Sequence, residues 1–208
     1  MSMNSFAGSW QVLEATLPNG KPGYTGTIEI RQHGSAYDLE WSISDGSYVG
    51  IGFERGGNLL VACGPQRAGL GLAFFRLDGE RVRVDWIVPE LRGATGVGEL
   101  LSPWRGSFDG VHQLRQLLPD GCEQGRFALE VTRKGEAFEL VWRQGDAVHF
   151  RGIGFEAAGG LVAAWFPDPG QLALLDYAVA AGDSGLIEGR WALGGFPSLA
   201  AERLQRIG

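Results

Sequence analysis

Cysteine, histidine and positive charge are all scarce in this chain, and each shortage excludes something. Two cysteines, Cys63 and Cys122, stand among 208 residues. A disulfide framework in a repeated chain would recur in each copy, and these two do not occupy equivalent places, so unpaired thiols are expected. His33, His112 and His149 are far apart, and neither Cys-x-x-Cys nor His-x-x-x-His occurs, so no metal-ligand set is legible. His112 and His149 are expected on strands, facing solvent. Lys and Arg total 18 against 24 Asp and Glu, for a net charge of -6. The basic stripe of a nucleic-acid-binding domain is missing, so nucleic acid is not an expected partner.

Long apolar runs are also absent: no stretch approaches the roughly 18 residues that span a bilayer. No basic-then-apolar leader opens the chain, which makes the cytoplasm the expected location, or secretion if the chain is trimmed. Membrane partners are not expected. Helical periodicity is missing too, apart from a short helix expected near 198–206. No nucleotide loop is present, because Gly50-x-Gly52 lacks the remaining glycine spacing and Gly93 to Gly98 has no lysine or following helix. No cofactor is expected.

Glycine is abundant instead, with 34 copies, more than twice the usual share of about 7%. Such a content suits tight turns, and strands that something must approach closely. The chain also repeats itself. Tyr37-Asp-Leu-Glu-Trp41 returns as Phe138-Glu-Leu-Val-Trp142, and Tyr48-Val-Gly-Ile-Gly-Phe-Glu54 as Phe150-Arg-Gly-Ile-Gly-Phe-Glu156. Leu17-Pro-Asn-Gly20 matches Leu118-Pro-Asp-Gly121, Trp86 pairs with Trp191, and Glu99 is matched with Glu202. The offset stays close to 101 residues through most of these matches, in the same order, with a seam around Ser102 to Gly106. Two units follow, 1–103 and 104–208.

Within each unit the period is two. Tyr37, Leu39, Trp41 and Ile43 share one strand face, with Asp38, Glu40, Ser42 and Ser44 on the other. Val82, Val84 and Trp86 alternate with Arg81, Arg83 and Asp85, and Phe127, Leu129 and Val131 with Arg126, Glu130 and Thr132. This is the pattern of antiparallel sheet with one wet face. Turn signals such as Asp45-Gly46, Asp78-Gly79 and Gly159-Gly160 punctuate it. The expected fold is all-β: two tandem antiparallel meanders of seven or eight strands, each closing into a barrel to remove its edges. One larger barrel or sandwich built from both repeats is the competing architecture.

The order aromatic-x-Leu-x-Trp, Gly-x-Gly-Phe, Gly-x-Leu and a closing Trp strand resembles a group of short bacterial β-rich proteins sometimes labelled fibronectin-binding. The opening strand is similar to those of avidin- and lipocalin-like barrels. The resemblance spans most of both halves and is carried by packing residues. It implies a barrel in each repeat, here as a tandem duplication.

The candidate ligand-binding residues are Trp41, Tyr48 and Trp86 in the first unit, with Trp142, Phe150 and Trp191 in the second. Their rings can stack on a flat or apolar ligand, or simply fill a barrel. Gly50, Gly52, Gly152 and Gly154 strip side chains from a patch of strand, where either a tryptophan or a ligand can lie. Gly182-Asp-Ser-Gly185 looks like a protease nucleophile signature, but no histidine stands in a matching context and a hairpin turn explains it. No catalytic residue is assigned, and the chain reads as a non-enzymatic binding module for a small apolar or aromatic molecule in a barrel mouth, or for a protein partner. A second reading is an enzyme using Glu54 with Glu156, or Glu99 with Glu202, in a cleft between the repeats. A third is a structural, self-associating domain that forms a homodimer.

Overall fold

The computed structural model describes residues 6–207. Residues 1–5, on which the reading of the chain's opening rests, and residue 208 lie outside the described residues. Sixteen strands account for almost all regular structure. The first five are β1 (Gly8–Ala15), β2 (Gly26–His33), β3 (Ala36–Ile43), β4 (Gly46–Arg55) and β5 (Asn58–Gly64). Then come β6 (Gly71–Asp78), β7 (Arg81–Ile87), β8 (Gly96–Leu100), β9 (Gly110–Leu117) and β10 (Glu123–Lys134). The rest are β11 (Ala137–Gln144), β12 (Ala147–Ala157), β13 (Gly160–Trp165), β14 (Ala173–Val179), β15 (Leu186–Leu193) and β16 (Ala200–Arg206). Two single 3-10 turns, Pro89–Leu91 and Pro169–Gln171, complete the described structure.

The strands form two closed antiparallel barrels of eight each. Closure pairs every strand on both sides and leaves no open edge. The second barrel is the continuous meander β6 to β13, sealed where β13 pairs with β6. The first barrel takes β1 to β5 from the start of the chain and β14 to β16 from its end, sealed by the β1·β16 and β5·β14 ladders. Each repeat therefore supplies five strands to one barrel and three to the other. The boundary expected between 103 and 104 divides the repeats but not the barrels, since β8 and β9 on either side of it are hydrogen-bonded neighbours. The barrels exchange chain instead through two connections, 65–70 and 166–172.

The stretch expected to be a short helix, 198–206, contains no helix, and its last seven residues are β16. Its alternation explains the outcome: Ala200, Glu202 and Leu204 are buried, while Ala201 and Arg203 are exposed. Period two fits a strand, and β16 pairs with β1 and β15 to complete the wall.

Three apolar clusters result. One lies inside each barrel, and a third lies between them. The middle one includes Phe53, Leu60, Ala62, Leu72, Phe74, Phe155, Val162 and Leu174. β5 and β13 thus bury both faces, which explains why their sequences are unbroken apolar runs rather than alternating ones. The end of each barrel near the start of β1 or β9 is closed in the same way. Trp10 Nε1 donates to the Phe6 carbonyl at 2.8 Å, and the His112 Nε2 to Phe108 carbonyl distance is 2.7 Å. His112 is therefore buried rather than solvent-facing, while His149 is exposed beside Phe127 and Phe150.

Candidate functional site

The end of the first barrel remote from Trp10 holds a cavity of about 350 Å³. Strand alternation aims Trp41, Cys63, Leu175 and Trp191 into it, and all four are buried. Nearer solvent, Tyr24 and Tyr48 are half-buried, with Asp45 and Gln171 exposed at the rim. Gln171 and Gly170 come from the 166–172 connection, so a segment that passes between the barrels also forms part of the lining. Trp41 lies opposite Tyr48 across the β3·β4 ladder, and the Tyr24 and Trp191 rings are 6.2 Å apart, tilted by 49°.

The glycine-cleared strand serves the tryptophan. A Cβ on Gly50 would come within 2.8 Å of Trp41 Cζ3, so the ring packs flat on bare backbone. Gly152 does the same for Trp142, where an added Cβ would lie 3.1 Å from Cζ3. Trp191 differs from its counterpart in one respect. Trp86 Nε1 donates to the Val97 carbonyl at 3.1 Å, whereas Trp191 Nε1 is buried with no partner among the described residues.

Beneath the cavity lies a carboxyl group that the aromatic pattern did not point to. Glu202 is 2% exposed and accepts hydrogen bonds from the Tyr24 hydroxyl at 2.7 Å and the Tyr177 hydroxyl at 2.5 Å. Burial pushes its pKa above the usual carboxylate value, and the two phenols offset part of that rise. The same burial, with the nearby carboxyl group, raises both tyrosines and keeps them as O–H donors. The Cys63 thiol is raised as well, by burial and then by Glu202, so it is a protonated wall residue rather than a nucleophile.

The second barrel fills the equivalent space. The ladders align Cys63, opposite Ala173 and Gly50, with Trp165, opposite Gly71 and Gly152. Trp165 is 5% exposed and its ring centroid lies 5.5 Å from those of both Trp142 and Phe150. It fits only because residue 71 is glycine, where a Cβ would fall 1.8 Å from Trp165 Cε2. The polar group under the cavity is missing as well: Glu202, Tyr177 and Tyr24 correspond to Gly98, Phe75 and Gly125.

Of the six aromatic candidates, Trp41, Tyr48 and Trp191 thus meet around one cavity. Trp86, Trp142 and Phe150 belong to a packed interior: Trp86 lies over Gly96, and the other two against Trp165. The matched carboxylates are not brought together. Glu54 accepts from the Tyr37 hydroxyl, Glu156 pairs with Arg133 at 3.0 Å, and Glu99 with Arg115 at 2.5 Å. Glu202 stands opposite Gly98 in the repeat rather than opposite Glu99, a register that sequence spacing alone missed by one residue. Ser184 lies in the turn between β14 and β15, with Gly185 N–H donating to Asp183 at 2.8 Å. Both cysteines are free, Cys63 buried and Cys122 exposed. Among the described residues no cluster of His, Cys, Asp or Glu could hold a metal, and no helix is long and apolar enough to cross a membrane. No family model matches the chain, and neither does any curated protein or solved structure.

Proposed function

We propose that the chain is a small-molecule-binding protein with one site, the aromatic mouth of the first barrel. The observation that carries this reading is the contrast at one matched position: Cys63 leaves a cavity of about 350 Å³ where Trp165 fills the second barrel. Eight strands give an interior that side chains can just fill, or that can hold one small ligand. The volume lies in the usual range for small-molecule sites, about 300–1,000 Å³. Trp41, Tyr48 and Trp191 supply stacking faces.

The test is to copy the second barrel's plug into the first. Cys63→Trp combined with Ala173→Gly provides both the ring and the bare backbone it needs. Native mass spectrometry and tryptophan fluorescence against a library of small aromatic molecules should find binders for the natural protein, and the double variant should lose at least tenfold in affinity for them. Binders retained at full strength by a folded double variant would place binding elsewhere and overturn the reading, as would a library with no binders at all.

A further inference from the structure

We propose that the ligand is an organic cation, an alkylated or quaternary ammonium group seated among Tyr24, Trp41, Tyr48 and Trp191, with Glu202 behind them as its counter-charge. The proposal rests on the small-molecule reading above and specifies its chemistry.

The buried carboxylates carry the argument. Among the described residues two are buried, Asp176 and Glu202. Asp176 has what a buried acid needs: Arg190 at 2.8 Å and the Asn58 amide at 2.6 Å. Glu202 has two phenols and no cation. A buried acid without a positive partner is costly to ionise, and the structure places a cavity next to it, with Tyr24 as the shared wall.

The lining fits that missing partner. No lysine, arginine or histidine lines the cavity, and the one charged side chain that does is Asp45 at the rim. The rings are two tryptophans and two tyrosines, whose faces carry negative quadrupole potential and attract cations, most strongly when water is excluded. An anion would meet carboxyl groups at both levels and no cation at either. A purely neutral ligand would use the rings but bring no charge opposite to that of Glu202. The second barrel offers an internal contrast, since with Trp165 in the mouth it has glycine at 98 and phenylalanine at 75. The acid and the cavity occur together.

The experiment compares benzyltrimethylammonium with neopentylbenzene, its carbon isostere of the same shape, by tryptophan fluorescence titration of the full chain at low ionic strength. The cation should bind at least tenfold more tightly. Glu202→Gln should lower the cation-to-isostere ratio at least fivefold. Should that variant fail to fold, Asp45→Asn at the exposed rim should lower the same ratio, by a smaller factor. Equal affinity for the two probes in the natural protein would overturn the cation assignment and leave the small-molecule site standing. Failure of both probes to bind, together with an empty library screen, would remove the site itself. A ratio unchanged in a folded Glu202→Gln variant would also overturn the assignment.

Discussion

The two barrels share strand count, topology, a tryptophan over bare glycine and a closed far end, yet one mouth is hollow and polar beneath while the other is solid. The difference comes down to a few positions. Cys63, Ala173, Tyr24, Tyr177 and Glu202 in the first barrel face Trp165, Gly71, Gly125, Phe75 and Gly98 in the second. A ring that fills space must have its neighbour trimmed, and Gly71 is that trimming. A carboxyl group under a cavity must have donors, and the two tyrosines are those donors. The same wall thus supports either a packed core or a site, and the choice lies in side chains that never disturb the ladder.

The comparison can be broken most severely at Trp165. Replacing it by alanine should hollow the second mouth and cost about 3–5 kcal/mol, the usual penalty for emptying a large aromatic position. Chemical denaturation would read the loss, and a loss below about 1 kcal/mol would mean that the ring is not a structural plug. Tyr177→Phe copies Phe75 into the first barrel and removes one donor from Glu202, for an expected cost of about 1–3 kcal/mol. If the variant melts like the natural protein, the hydroxyl does not support the acid.

Glu202→Gln sharpens the contrast through pH. The folded-state pKa of Glu202 is raised by burial, so below its ordinary value of 4.5 both folded and unfolded chains hold the proton and the group costs nothing. As pH rises past that value the unfolded chain ionises first. Stability is then lost progressively until the folded pKa is passed. The glutamine variant lacks this loss, so its melting temperature should gain on the natural protein as pH increases from the acid range upward. A gap that stays flat across that range would show that the carboxyl group ionises alike in both states.

Much of the fold was legible. Alternation at Tyr37 to Ile43 and Val82 to Trp86 marked strands, the repeated motifs marked two matching sets, and Gly50 and Gly152 marked the beds of Trp41 and Trp142, while Gly52 and Gly154 lie against aliphatic side chains and backbone. Chain exchange was not read, although its signal is present. Leu59 to Cys63 and Leu161 to Phe166 are continuously apolar, because each strand has a barrel interior on one side and the neighbouring barrel on the other. Of the site, the inward tryptophans were visible from period two. Glu202 was singled out for a different reason, as a partner of Glu99, because spacing does not show that the chain from Trp86 to its ladder partner Gly96 is one residue longer than that from Trp191 to Ala200. The helix expected at 198–206 has another cause: a short segment carries too few turns to distinguish one period from the other.

The traded strands carry a consequence for how the asymmetry could arise. Two separate copies of a single repeat, lending each other three strands, would make a symmetric pair whose mouths are identical by necessity, since one gene would write both. Joining the copies end to end frees them. Once Cys63 and Trp165 are different letters in one reading frame, one vessel can stay open while its twin is sealed.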